Sequence, residues 1–184
     1  MSREDSFASA ANLPGGYIIL DKSTGMSSAS ALNKVKYIIY PNKIGHSGTL
    51  DPAATGLLIV LLNGATRLAS IAGDGFKIYQ GDIKLGVRTS SDDLDGEILN
   101  TSEVHVSQED INRVRESFLG EISQVPPRVS AVKIGGQRAY NLERKGHEFE
   151  IKPRVVTIRS LTLTLLSADT VQYEVECSPG TYVR

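Results

Sequence analysis

The groups in this chain best placed to do chemistry share one segment, GHSGTLDPAATG (Gly45 to Gly56), where a carboxylate, an imidazole and several hydroxyls lie close together. Asp51 is a carboxylate able to act as a nucleophile or a base. His46 stands five residues before it. Competing chemistries fail on spacing. A nucleophile elbow, G-x-S-x-G, needs glycine where Thr49 stands, so GHSG does not present Ser47 as a hydrolase serine. The histidines, His46, His105 and His147, are dispersed, and no H-E-x-x-H or paired-cysteine spacing occurs, which leaves metal chemistry unsupported. Walker-type and dinucleotide glycine loops are also lacking. Asp-Pro favours turn initiation and glycine supplies unusual backbone angles, so Asp51-Pro52 read alone is first of all a turn.

The elements flanking this loop must position it. Gly16 to Leu20 reads as a buried strand, followed by a turn at Ser23 to Gly25. Ser27 or Ser28 can cap a helix whose apolar face carries Ala31, Leu32, Val35, Ile38 and Ile39, and Pro41 stops it. The loop then runs from Asn42 to Gly56, and long loops of this kind often carry function. Beyond it, Leu57 to Leu62 has the continuous apolar character of a buried strand, Ala65 to Ala72 reads as a short helix, and Phe76 to Val87 alternates like a strand. SDDLDGE is a turn cluster. Ser107 can cap a helix carrying Ile111, Val114 and Phe118 and ending at Gly120, and Ala139 to Lys145 forms a second helix ending at Gly146. Val155 to Leu166 and Val171 to Cys177 read as strands. The fold class predicted is α/β, of the α+β type, with a mixed central sheet; the order is too irregular for a repeated βαβ winding.

Composition sets wider bounds. With 184 residues, 40% hydrophobic and 22% charged, the chain reads as a globular protein of one compact domain, or a domain and a fragment. Its longest apolar run, Leu57 to Leu62, is far short of the roughly 18 residues of a membrane span, and the amino terminus lacks a signal-peptide apolar region. No membrane association is expected, and the cytoplasm is the default compartment. The single cysteine, Cys177, cannot support a disulfide framework and reads as a packed thiol in a strand. Net charge is −1, which by itself argues against a strongly basic nucleic-acid binder. Its distribution is uneven: residues 126–160 carry +5 and residues 82–121 carry −6. Such asymmetry can suit one face to phosphates, or it can reflect two ordinary charged surfaces.

Eight segments in order carry a family resemblance: GYIILDKSTGMSS, IGHSGTLDPAATGLL, NGATRL, FKIYQGDIKLGVRT, DLDGE, QVPPRVSAVKIGGQRAY, ERKG and CSPGTYVR. In this set and order the chain resembles the TruB family of bacterial tRNA pseudouridine synthases, over nearly its whole length from Gly16. The resemblance implies a pseudouridine synthase fold and isomerisation of uridine 55 in the T loop of tRNA. It implies no metal or organic cofactor, and a T-arm of tRNA as partner of what we expect to be a monomer. We expect a catalytic domain over residues 16–184 behind a flexible segment 1–15.

That reaction breaks the N1–C1′ bond, turns the bound uracil and joins C5 to C1′. One carboxylate can serve it by attacking C1′ or C6, or by removing a ribose proton to give a glycal. Glycoside hydrolysis normally uses two carboxylates and admits water; here water must be excluded, and the base must be flipped into an apolar pocket. By resemblance, Asp51 matches the family nucleophile, and Tyr79 the tyrosine that packs on the target base, where its ring can stack on uracil. Arg184 matches the arginine that pairs with the catalytic carboxylate, and His46 the histidine that helps open the T loop. Lys22 and the stretch Lys133 to Arg144 are phosphate-contact candidates, because backbone contacts position a folded RNA. Tyr140 and Tyr182 read as core or pocket-lining residues.

The sequence departs from the family pattern in places. Ser23 follows the LDK motif instead of proline, Ile59 replaces a proline after the catalytic loop, and Val129 takes the aromatic position of PPxYSA. The acidic residue common after GxRT is Ser90 or Ser91 here. Family members continue past the position of Arg184 into further elements and a carboxy-terminal RNA-binding domain, so a truncated form with weakened activity is expected. Two alternatives stand beside the tRNA enzyme: a guide-RNA-dependent synthase, whose loop also reads GHSGTLDP, and a non-catalytic RNA-binding or RNA-folding factor.

Overall fold

Successive side chains of a strand point to opposite faces, so Gly56–Asn63 places Leu58, Val60 and Leu62 on one face, and that face is where the first core forms. In the computed structural model, which describes residues 13–184 apart from 131, the chain divides into two compact units, one ending at Asp74 and the other spanning Gly75–Arg184. Most of the segment 1–15 lies outside the described residues.

The first unit holds a three-stranded antiparallel sheet in the order β1-β3-β2, built from β1 (Gly15–Lys22), β2 (Ile44–His46) and β3 (Gly56–Asn63). Helix α1 (Ser28–Ile39) contributes Ala31, Leu32 and Val35 to a core shared with Leu58, Val60 and Leu62. Ser27 caps the helix by accepting from the Ser30 amide, and Tyr40 ends it in a left-handed conformation at φ 53°. Ile39 packs against the core, but Ile38, expected on the same face, is 58% exposed. It is one residue off the stripe set by the 3.6-residue period. The loop expected over Asn42 to Gly56 contains β2, too short and too poor in alternation to read from sequence. Its entry is fixed by Asn63, whose side-chain oxygen accepts from the amides of Asn42 and Lys43. The helix expected at Ala65 to Ala72 is a 3-10 turn, Gly64–Leu68, running into α2 (Ala69–Ala72).

We expect Leu58→Ala, which removes a 2% exposed side chain from this core, to lower unfolding free energy by about 2–5 kcal/mol. Leu57→Ala, at a 62% exposed position on the opposite face, should stay within about 0.5 kcal/mol of wild type. Urea denaturation of the two variants checks both values, and equal losses would contradict the inward assignment of Leu58.

The second unit is built on a four-stranded antiparallel sheet, order β4-β11-β10-β7, from β4 (Lys77–Lys84), β7 (Gly120–Gln124), β10 (Arg154–Ser167) and β11 (Thr170–Cys177). Two hairpins accompany it, β5 (Val87–Thr89) with β6 (Ile98–Thr101), and β8 (Lys133–Ile134) with β9 (Gln137–Arg138). The single strand expected over Phe76 to Val87 is therefore two, broken where the Leu85 amide turns to bond the Asp169 carbonyl. Ser107 and Asp110 close a reciprocal capping box on α3 (Gln108–Glu116). That helix ends before Gly120, which opens β7, and none of its residues is buried; the Gln108 amide instead ties it to the β10 backbone at Leu163 and Leu165. Helix α4 (Ala139–Arg144) follows β9 directly. Within each unit the strand pairing is antiparallel, and the α+β class is the one expected.

Candidate functional site

Asp51 opens a turn in which the Ala54 amide bonds back to the Asp51 carbonyl at 3.1 Å. Several groups from the end of β1 and the turn after it grip the carbonyls that follow. The Gly25 amide donates to the Pro52 carbonyl at 2.9 Å, and the Thr24 hydroxyl donates to the Ala53 carbonyl at 3.1 Å. Lys22 is fully buried, and its ammonium donates to the carbonyls of Met26 (2.8 Å), Ser23 (3.1 Å) and Pro52 (3.3 Å). The expectation that Lys22 meets phosphate is corrected by this geometry: a buried ammonium held by three carbonyls is a fastener between the β1 end and the Asp51 loop. A buried cation keeps its charge only with such partners. Upstream, the Ser47 amide bonds the Ile59 carbonyl, and the Ser47 carbonyl lies so near Gly73 that a Cβ there would come within 2.2 Å of it. Only glycine fits that approach.

His46 ends β2 opposite Val60. Its Nδ1 is buried and, among the described residues, has no hydrogen-bond partner. An unmet buried nitrogen costs roughly 1–3 kcal/mol, so the ring is placed by the β2–β3 pairing and its packing and not by a bond from Nδ1.

The second unit carries the remaining expected residues. Tyr79 lies on β4 across from Val175 and packs on the cluster of Ile158, Val175 and Cys177. Tyr182 packs on Val132, Ala139 and Ile151, and its backbone is gripped from both sides by one amide side chain: Gln124 donates to the Tyr182 carbonyl at 2.8 Å and accepts from its N–H at 2.9 Å. Two residues on, Arg184 is only 15% exposed. Its guanidinium donates to the Val129 carbonyl at 2.9 Å and to an Asp93 carboxylate oxygen at 3.2 Å, 6.0 Å above the Tyr182 ring. The Asp93 carboxylate is itself set by the Ser91 hydroxyl and the Asp95 amide.

Asp93 and Gln124 were not singled out by sequence reading. Ser90 and Ser91 stand directly after GVRT, where the family has an acid, and Asp93 follows two residues later in the turn cluster. Nothing in the QVPPR segment marks Gln124 as a backbone clamp. Lys22, His46 and Asp51 thus belong to the first unit, and Tyr79, Tyr182 and Arg184 to the second.

The charge asymmetry is weaker in three dimensions than in sequence. In the basic stretch, Arg128 pairs with Glu143 at 2.7 Å and stacks over Phe149, and Arg159 pairs with Glu176 at 2.6 Å over the Phe76 ring. Lys133 and Arg138 are cross-strand neighbours on the β8–β9 hairpin, whose Gly135-Gly136 turn has both φ values positive, at 55° and 85°. That places two cations side by side on a short two-stranded ribbon. Tyr140, expected in the core or a pocket lining, is 41% exposed. No cluster of three or more metal-ligating side chains occurs among the described residues, and no helix among them is long and apolar enough to cross a membrane.

Cys177 is buried beside Tyr79, and burial pushes its thiol above the ordinary range against smaller opposing pulls from Thr181 and Lys77. Because the folded value is raised, the contribution to stability is full below the unfolded thiol's pKa of about 8.5 and declines as pH rises through it. At pH 8 we expect iodoacetamide to alkylate the folded chain at least tenfold more slowly than the chain in urea; equal rates would contradict a packed thiol.

A family model described as TruB family pseudouridylate synthase (N terminal domain) matches residues 36–183. The chain is 44% identical over 170 residues to a protein of Brucella melitensis named tRNA pseudouridine synthase B, covering 92% of this chain and 52% of that one. It is 43% identical to the protein of the same name from Rhizobium johnstonii, covering 92% and 55%. The chain thus spans about half the length of the curated relatives it matches. Among solved structures, a chain of a Cbf5-Nop10-Gar1 complex superposes with a TM-score of 0.67 at 30% identity, covering 92% of this chain and 41% of that one. A chain of an H/ACA RNP bound to a substrate RNA containing 2′-deoxyuridine gives 0.63 at 24% identity, covering 92% and 39%, which shows a shared fold.

Proposed function

The chain belongs to the TruB family of pseudouridylate synthases, and from that premise we propose that it is the catalytic part of a tRNA pseudouridine synthase that isomerises uridine 55 of the T loop, with Asp51 as the reacting carboxylate. The observation that carries this reading is the hold on the Asp51 loop. A buried lysine, a backbone amide and a threonine hydroxyl fix the carbonyls just after Asp51, as expected of a loop that must present one side chain in one place. An ordinary surface turn needs no such fastening.

The other residues take roles that suit this chemistry. Tyr79, on a packed strand, supplies a ring against which a flipped uracil stacks. Arg184 and Asp93 form a set charge pair, from which the guanidinium orients a carboxylate partner. The paired cations of the β8–β9 hairpin suit phosphate. Identity to the tRNA enzymes is higher, at 44%, than to the Cbf5 chain, at 30%, which favours a synthase acting without a guide. The test is tritium release from 5-labelled uridine in a T-arm RNA with the purified chain and no guide RNA. Release from the uridine at position 55, lost when that base alone is replaced by cytidine, is expected. No release without an added guide would overturn the reading.

A further inference from the structure

We propose that Ser28 is a positioning residue for Asp51, acting by binding the backbone of Leu50 from both sides with one hydroxyl. Ser28 is the first residue of α1 and is 2% exposed. Its Oγ accepts from the Leu50 N–H at 2.9 Å and donates to the Leu50 carbonyl at 3.1 Å. A hydroxyl that both accepts and donates satisfies one whole residue of backbone, as a neighbouring strand would in a sheet.

The placement gives this bond its importance. All the fasteners after Asp51, from Lys22, Thr24 and Gly25, act on carbonyls of residues 52 and 53. The two bonds of Ser28 act on Leu50, on the other side of Asp51. Asp51 is thereby flanked by backbone held on both sides, by Ser28 before it and by Lys22, Thr24 and Gly25 after it. Ser28 needs no capping duty to account for it, since Ser27 caps α1. The hydroxyl sits on a helix whose Ala31, Leu32 and Val35 are locked in the core, so the anchor is rigid. Removing it loosens the Leu50 backbone next to Asp51, which shifts the carboxylate while leaving the fold intact.

This inference rests on Asp51 being the reacting carboxylate, and the experiment separates the two. Single-turnover tritium release and T-arm RNA binding are measured for wild type, Ser28→Ala, Ser28→Thr and Asp51→Asn, with amide hydrogen exchange at Leu50. We expect Ser28→Ala to lower the single-turnover rate about 30- to 100-fold, the scale of an ångström-level misplacement, with RNA affinity within about twofold. The Leu50 amide should lose protection in Ser28→Ala and keep it in Ser28→Thr, with the rate largely restored. A Ser28→Ala rate within threefold of wild type, or a Leu50 amide equally protected in it, would overturn the proposal. So would equal losses of rate and affinity accompanied by general loss of amide protection, which mark an ordinary folding defect. Should Ser28→Ala not fold, Ser28→Cys, of similar shape with a weak hydrogen-bonding group, takes its place under the same criteria. An active Asp51→Asn would instead sink the nucleophile assignment and leave the Leu50 exchange result standing.

Discussion

Asp51→Asn is expected to cut tritium release by about a thousandfold or more, the scale seen when a nucleophile is removed, while leaving RNA binding within a few-fold of wild type. Asparagine has nearly the shape of aspartate, and Lys22, Thr24 and Ser28 fix this loop through the backbone of residues 50, 52 and 53. The loop should therefore keep its form, and the loss should appear in the chemical step. Each route open to the carboxylate, attack at C1′, attack at C6 or removal of a ribose proton, needs its negative charge. Asp51→Glu keeps the charge but moves it by a methylene, and should recover only a small part of the rate because the anchored loop cannot retreat to accommodate it. Equal release from wild type and Asp51→Asn would remove Asp51 from the chemistry.

Arg184→Lys should lower the rate about 100-fold with little change in thermal midpoint. Arg184 uses one amino nitrogen for the Val129 carbonyl and the other for the Asp93 carboxylate, a planar arrangement that a lysine ammonium cannot reproduce. Charge is retained, so long-range attraction for RNA is retained as well. What is lost is orientation. Asp93→Asn weakens the same arrangement from the other side and should cost less, about tenfold, because the Val129 carbonyl still holds the guanidinium. In a double-mutant cycle the two substitutions should be strongly non-additive, as expected of residues in direct contact. Additive effects would mean that the Arg184–Asp93 pair does not act as a unit.

Several features could be read directly from the residues. The 3.6-residue spacing of Ala31, Leu32 and Val35 named the buried face of α1, a continuous apolar run named β3, and alternation in VQYEVEC marked β11, because each pattern is local and the core is built from it. The motif order from Gly16 to Arg184 pointed to the family that the comparisons bear out. Residue type also marked Asp51 as the reactive group to consider. Other features had no local signal. Ile38 and Lys22 look in sequence like a core residue and a solvent cation, but one faces out and the other is buried on three carbonyls. Strand β2 is three residues long and exists only because β3 offers it an edge to pair with. Asp93, Gln124 and Ser28 act through bonds to residues 91, 58 and 22 positions away. Sequence determined which groups are present and which faces are apolar, since those depend on neighbours along the chain. Only the tertiary structure decided how the Asp51 loop is held, because a hydrogen bond between distant segments leaves no periodicity behind.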